Sequence, residues 1–174
     1  MTAETTATTE ADEILGMLHN QRKTLRTAAR GLTDAQAMHR STVSDLTIGG
    51  LVKHVANTEA FWTKVFARED VAFDFDPEQY VMPEDTTIAG LLDRYAEVAA
   101  ETERVVRAAG DLGETVQLPE FPWAPGQRDT WARRRVLLHL LREIAHHCGH
   151  ADIIREAIDG ASTTMQMAEI NASD

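Results

Sequence analysis

The sequence predicts an all-α fold, a four-helix bundle with long connections between the helices. Four long segments repeat apolar residues at helical spacing, no segment alternates with the period of a β-strand, and no internal repeat is present. Two proline-containing stretches, residues 70–84 and 111–129, separate these segments and are longer than ordinary connecting turns. Amphipathic helices that have no sheet to cover bury their apolar faces against one another, which gives the bundle.

The first two predicted helices each have a recognisable end. The first covers about residues 11–30, and Gly31 follows it as the expected C-cap. The second covers about residues 47–68 and begins at Thr47, whose hydroxyl can accept a hydrogen bond from a free backbone amide. His54 lies in the middle of the apolar stripe of this second helix. The stripe comprises Leu51, His54, Val55, Thr58, Phe61, Trp62, Val65 and Phe66.

The last two predicted helices follow the two long connections. The third begins after residues 83–87 and ends near Gly110. Residues 111–129 hold three prolines among aromatic residues, which predicts an ordered loop, and long loops in compact domains often act as lids. The fourth helix covers about residues 130–158 and stops at Gly160.

One domain accounts for most of the 174 residues. We expect a disordered leader over residues 1–11, the bundle over residues 12–160, and a tail over residues 161–174 that is either a turn of helix or mobile. The formal net charge of −11 argues against nucleic acid or an anionic membrane as a partner. Membrane-span and secretory patterns are absent, and a single cysteine fits a reducing compartment, so the expected location is cytoplasmic.

The fourth predicted helix concentrates four of the seven histidines and one carboxylate. At about 100° per residue, these five side chains share one face roughly 100° wide. Apolar residues lie beside them, so this face should point into the core. Burying such groups is costly unless they bond one another, water or a metal. The five residues are His139, Glu143, His146, His147 and His150.

Three of the polar residues have the spacing of a metal site. Glu143 and His147 form an i, i+4 pair, and His54 from the second helix can face them, as inward side chains do in bundle metal sites. Two histidines and one carboxylate leave coordination positions open, as catalytic sites do. The alternative is that each histidine is a hydrogen-bonded core residue. Trp123 and Trp131 either line a pocket or pack the long loop.

Other catalytic patterns fit less well. Residues 143–146 read Glu-x-x-His, as in di-iron bundles, but those bundles need a second copy and two more glutamates. The sequence contains no His-Glu-x-x-His, no glycine-rich phosphate loop and no G-x-S-x-G. Cys148 lies on another side of the helix from the His/Glu stripe, which favours a packed thiol over a nucleophile.

Two stretches of the chain resemble a known family. They are residues 50–56 (GLVKHVA) with Glu59 and Trp62, and residues 137–156, where LLH is followed by Glu-x-x-x-His-x-Gly-His-Ala-Asp. With these motifs the chain resembles the DinB-like superfamily of four-helix bundles, and within it the actinobacterial mycothiol S-transferase, or mini-circle, branch. The resemblance covers residues 12–160 and includes Gln21-Arg22 and Gly31-Leu32-Thr33-Asp34.

The resemblance implies a divalent metal, zinc most often and nickel in some members, held by His54, Glu143 and His147. Most of the superfamily has histidine where this chain has Glu143, but the related mycothiol-dependent maleylpyruvate isomerases also use glutamate there. His150 replaces a common glutamine and is a candidate fourth ligand, hydrogen-bond partner or proton shuttle. His146 replaces a common arginine, so His146 and His150 are the candidate catalytic residues beside the metal.

The resemblance also implies an activity and partners. The expected function is transfer of a low-molecular-weight thiol, such as mycothiol, to an electrophile, by a homodimer in which Trp62 and Trp123 contact the thiol cofactor. Two alternatives stay open, a metal-binding stress-associated module without turnover and a metal-dependent hydrolase. The ligand set assumes a continuous fourth helix, since a kink or π-bulge near Gly149 would let His146 replace His147.

Overall fold

Helices form nearly all the regular structure in a computed structural model, which describes residues 8–173, and the all-α prediction is confirmed. Four of the helices are long and pack around a common core, and one short pair of strands accompanies them. The elements are α1 (Glu10–Ala29), α2 (Asp34–Met38), α3 (Ile48–Phe66), α4 (Ile88–Ala108), β1 (Thr115–Gln117), β2 (Thr130–Ala132), α5 (Arg133–Asp159) and α6 (Thr163–Ser173).

Threonine begins four of these helices. The hydroxyls of Thr9, Thr33, Thr47 and Thr87 each accept a hydrogen bond from the third residue of the helix that follows, which satisfies one free amide. The predicted role of Thr47 is therefore confirmed. The helix α5 instead ends before Gly160, which caps it in the left-handed conformation, at φ 75°.

The predicted absence of strands is wrong for the two ends of the long loop. β1 and β2 pair antiparallel, with Val116 opposite Trp131. As a result, α5 begins at Arg133 and not near residue 130. Strands of three residues are too short to show a period of two, and only their pairing across the loop reveals them.

Helix extends further toward both ends of the chain than the sequence predicted. The tail is helical, because α6 covers Thr163–Ser173 and packs against α1. The helix α1 begins at Glu10, within the predicted leader, and residues 1–7 of that leader lie outside the described residues. The division into leader, bundle and tail stays a prediction.

The order of the helices around the bundle places α5 between α1 and α3, while α4 packs against the far side of α3. Inward-facing side chains of α3 and α5 are therefore adjacent. Fully buried residues such as Leu51 and Val55 on α3 and Leu140 and Ile144 on α5 form the core between these helices. The metal site predicted from the sequence requires this adjacency.

The connection before α4 lies directly against the first turn of α3, at two glycines. A Cβ added to Gly50 would lie 1.7 Å from the carbonyl oxygen of Tyr80, and one added to Gly49 would lie 2.2 Å from the sulfur of Met82. No side chain fits at either position without movement of the neighbouring segment. The two glycines thus fix the place of Tyr80, which matters for the site described below.

We predict that Gly50→Ala lowers the free energy of unfolding by about 1 to 3 kcal/mol, because the backbone of Tyr80 must move. The matched control is Gly16→Ala on α1, where an added Cβ would meet nothing within 4 Å. That variant should gain about 0.5 to 1 kcal/mol from reduced backbone entropy. Urea denaturation measures both, and equal stability of Gly50→Ala and wild type would contradict the close approach.

Candidate metal centre

Two helices bring the three predicted ligands together. His54 is on α3, and Glu143 and His147 are one turn apart on α5. One ligand atom from each of the three lies within 4.8 Å of the others. The described part of the chain places no second group of three such side chains in this way.

The donor set fits a divalent transition metal. Two imidazoles and a carboxylate are ligands that zinc and nickel accept. Ligands about 2.0 to 2.2 Å from one ion at tetrahedral angles lie about 3.3 to 3.6 Å apart. The three groups, which lie up to 4.8 Å apart, need to close by about 1 Å to share an ion. His147 is buried, whereas His54 and Glu143 are half-buried, which leaves one side of the group open.

The local electrostatics keep both histidines in the form that binds metal. Burial, together with the neighbouring His54, His146 and His150, lowers the pKa of His147 to about 4. Burial also lowers the pKa of His54, although Glu143 opposes this change. Neutral imidazole is the ligand form, so neither side chain must lose a proton near pH 7 before it binds.

The carboxylate is held in its ionised form. Burial by itself raises the pKa of Glu143, but the hydrogen bond from Arg142 and the charges of Arg142 and the histidines outweigh it and bring the pKa below its usual value. Nη2 of Arg142 lies 2.8 Å from Oε1 of Glu143 and 2.9 Å from Nδ1 of His139. Arg142 therefore orients the carboxylate. The sequence pattern did not predict this role, because Arg142 lies outside the His/Glu face of the helix.

The connection before α4 supports His54. The Tyr80 ring lies 4.3 Å from the His54 ring between centroids, and the Gln79 side chain opposes the lowering of the His54 pKa by burial. Thr58, one turn along α3, places its hydroxyl 3.4 Å from Nε2 of His54. Sequence analysis missed Gln79 and Tyr80 because they lie in an aperiodic loop. The adjacent glycines at 49 and 50 were the available indication that another segment approaches closely.

The two candidate catalytic histidines occupy different environments. His150 is half-buried, and its Nδ1 lies 3.4 Å from Nδ1 of His147. His146 is exposed, so the expectation that the whole His/Glu face points into the core is wrong for this residue. Its ring contacts the His150 ring at 4.4 Å between centroids. Since α5 is continuous through Gly149, His147 and not His146 joins the ligand group.

A cavity of about 410 Å³ opens beside the ligands and includes His54 and Glu143 in its lining. Its inner wall is the pair Trp62 and Trp131, whose rings stack at 5.4 Å with an angle of 1° between their planes. His139 packs edge-on against Trp62 at 4.5 Å. The predicted pocket role of Trp131 thus agrees with its position.

The outer wall of the same cavity comes from the two long connections, residues 70–84 and 111–129. Phe121 and Trp123 stack at 4.8 Å, and Phe73 meets Trp123 edge-on at 5.1 Å. Trp123 is 69% exposed, so it forms the rim of the cavity and not its base. Both predicted cofactor contacts, Trp62 and Trp123, line this cavity.

The lowered pKa of His147 predicts a loss of stability in acid for the metal-free protein. Unfolded histidine takes up a proton near pH 6.5, whereas folded His147 does so only near pH 4. Between these values the unfolded state binds more protons, so the free energy of unfolding falls as the pH falls, by at most about 3 kcal/mol.

Urea denaturation of chelator-treated protein between pH 7 and pH 4.5 measures this loss. The matched control is His147→Gln, which cannot titrate and should lose less stability over the same interval. Parallel curves for the two proteins would contradict the assignment of the loss to His147.

Comparison with known proteins identifies the family. The profile of the family described as Mycothiol-S-transferase matches residues 13–160, most of the chain. A solved structure, described as a conserved protein from Enterococcus faecalis, superposes with a TM-score of 0.65 at 16% identity, covering 89% of this chain and all of that one. At this identity the likeness shows the fold alone. No curated protein matches the chain significantly. The chain belongs to the mycothiol-S-transferase family of the DinB-like superfamily.

Proposed function

We propose that this protein is a divalent-metal-dependent transferase that moves a low-molecular-weight thiol, mycothiol or a close analogue, onto an electrophile. The observation that carries the proposal is the His54, Glu143 and His147 group beside an aromatic cavity, in a chain of the mycothiol-S-transferase family. Zinc is the expected metal and nickel the alternative, because both accept this donor set.

A divalent cation held by these three residues would favour the thiolate over the thiol at neutral pH. A single carboxylate leaves the loaded site with net positive charge, which suits an anionic sulfur. The open side of the ligand group faces the cavity, so the sulfur and the electrophile can meet there. The sulfur forms a bond to the electrophilic carbon, whose leaving group or π-electron pair accepts the displaced charge.

His150 and His146 are the candidate acceptors of the thiol proton. His150 lies next to His147 and is half-buried, and His146 contacts His150 from the exposed side. Together they form a line of imidazoles from the ligand group to solvent. This arrangement suits a proton relay, since an imidazole can accept a proton at one ring nitrogen and donate one from the other.

The walls of the cavity favour an electrophile with a planar apolar body. Two stacked aromatic pairs, Trp62 with Trp131 and Phe121 with Trp123, enclose the space beside the ligands. Arg135 lies over the Trp131 ring at 4.2 Å and holds that wall from outside. Such surfaces stack on aromatic or conjugated molecules and exclude water from the reacting sulfur.

Thermal unfolding in the presence of thiol tests the proposal. Mycothiol at about 100 times its Kd should add about 2.7 kcal/mol of stability, but only when zinc or nickel is present. The S-methyl derivative of mycothiol is the matched control, because it keeps the glycan and cannot form a thiolate. Stabilisation by mycothiol that is equal with and without metal would contradict the proposed role of the site.

Two other functions predict different results in the same experiment. A metal-dependent hydrolase should be indifferent to the thiol. A metal-binding module without turnover should bind the metal and leave both mycothiol and a test electrophile such as monochlorobimane unchanged. Consumption of the thiol with appearance of its conjugate would support transfer over both alternatives.

The remaining expectations about partners belong to the proposal. We propose a homodimer, as in relatives, and the outer side of α5 offers the exposed apolar residues Leu138 and Ile153 for such a contact. Sedimentation velocity tests the dimer.

Within residues 8–173 no helix is both long and apolar enough to span a bilayer. The cytoplasmic location and the absence of a nucleic-acid partner remain predictions from composition.

A further inference from the structure

A second, larger cavity of about 860 Å³ lies between α1 and α4. None of its lining residues belongs to the metal centre or to the aromatic cavity. The groove exists because α4 presents alanines to α1 along this seam, so the two helices leave space between them. These small residues are Ala89, Ala96, Ala99 and Ala100.

The α1 side of this groove is cationic. Lys23, Arg26 and Arg30 line it over about 10 Å at the end of α1, and the His19 side chain lies one turn before them. Among residues 8–173 no carboxylate forms a salt bridge with Lys23, Arg26 or Arg30. The one carboxylate in the lining, Glu103, is already paired with Arg107 at 2.9 Å.

This concentration of positive charge is unusual for the chain that carries it. The protein has a formal net charge of −11, so a row of cations without carboxylate partners among residues 8–173 is opposite in sign to the charge of the whole chain. Within residues 8–173, Lys23 and Arg26 hydrogen-bond only to neutral groups, the Asn171 side chain at 2.7 Å and the Leu92 carbonyl at 3.0 Å. Both keep their full charge available to an anion.

The deeper lining is apolar and contains an unsatisfied polar group. Leu32, Ile88 and Leu92 provide apolar surface, and Tyr95 lies among them. Tyr95 is only 1% exposed, and its hydroxyl makes no hydrogen bond within the described residues. The Tyr95 hydroxyl lies on the core side, where the charges of Glu59 and Arg22 act on it.

We propose that the groove between α1 and α4 binds a small amphipathic anion, a carboxylate on an alkyl body. The apolar body would lie along the alanines of α4, and the carboxylate would pair with the cations of α1. The volume lies within the range of small-molecule sites, and the pattern of apolar lining with few convergent polar groups is typical of them. This site is independent of the proposed transferase activity.

Calorimetric titration with decanoate, with decyltrimethylammonium as the cation of matched chain length, tests the charge preference. Decanoate should bind one site per chain, at least about tenfold tighter than the cation. Equal binding of the two would overturn the proposal, because it would show a non-specific apolar surface. The His54→Ala protein should bind decanoate as the wild type does, which separates this site from the metal centre.

Two pairs of variants locate the binding. Ala96→Phe fills the groove from an exposed position and should weaken decanoate at least about tenfold, whereas Ala108→Phe, exposed on α4 outside the groove, should not change it. Arg30→Gln should weaken binding about two- to fivefold, and Lys64→Gln on α3 should leave it unchanged. Circular dichroism checks that each variant folds.

A second copy of the chain is the rival occupant of the groove. In that case the wild type would sediment as a dimer, Ala96→Phe as a monomer, and decanoate would bind to neither. This result would overturn the proposal. Decanoate binding that is lost in Ala96→Phe, with no change in oligomeric state, would support it.

Discussion

The His147→Ala variant is expected to lose divalent metal and thiol-transfer activity together. Replacement of groups that merely hydrogen-bond to ligands lowers metal affinity about 10- to 100-fold, so loss of a ligand should exceed about 100-fold. His147 is the most buried of the three ligand candidates, and burial keeps its imidazole neutral. Water therefore has little access to the coordination position that the variant would vacate. Metal analysis by mass spectrometry should give about one equivalent in the wild type and almost none in the variant.

A matched control separates this effect from general damage. His39→Ala removes an exposed histidine just after α2 and should keep its metal and its activity. His54→Ala should behave as His147→Ala does, because the site needs ligands from both α3 and α5. Unchanged metal stoichiometry in folded His147→Ala protein would reject the ligand set and leave the histidines as a hydrogen-bonded core network.

The ligand group could be predicted from the sequence because most of it is local. Glu143 and His147 are one helical turn apart, so their convergence follows from the geometry of a single helix. His54 required one further step, its place within an apolar stripe that had to face the core. The structure brings all three within one small volume, as that reasoning expected.

The surroundings of the ligands could not be predicted because they depend on contacts between distant segments. Tyr80 reaches His54 only because glycines in the first turn of α3 admit the backbone of another loop. The pairing of β1 with β2 likewise joins residues separated by the whole long loop. Neither contact leaves a periodic pattern in the sequence.

His146 illustrates the limit of reasoning from a helical wheel. Its angle placed it at the edge of the polar face, near the apolar residues of the same helix. Whether an edge position is buried depends on how closely the neighbouring helix approaches, and here it remains exposed. Its neighbour His147, at the opposite edge of the same face, is buried against α3.

The second large effect is expected away from the metal, at Glu59 in the centre of the bundle. Glu59 is fully buried and accepts hydrogen bonds from both Nε and Nη2 of Arg22, with the Nε contact at 3.2 Å. Thr102 donates to the same carboxylate at 2.7 Å and is itself 2.8 Å from the Thr63 hydroxyl. One buried ion pair thus links α1, α3 and α4.

Glu59→Ala should lower the free energy of unfolding by about 3 to 5 kcal/mol, because it leaves the buried Arg22 cation without its partner. Glu101→Ala, which removes an exposed carboxylate paired with Arg104 on α4, is the control and should cost less than about 1 kcal/mol. Urea denaturation measures both. A loss below about 1 kcal/mol for Glu59→Ala would show that Arg22 finds water or another acceptor.

Replacing both partners of the buried pair tests why the first change is costly. If the loss in Glu59→Ala comes from an unpaired charge, Arg22→Met combined with Glu59→Leu should recover most of the stability, since apolar replacements of buried pairs are often neutral or stabilising. If the loss comes from a cavity, Glu59→Leu alone, which refills the space and leaves Arg22 unpaired, should already recover most of it. Metal content near one equivalent in the double variant would further separate this pair, which positions the helices, from the residues that hold the metal.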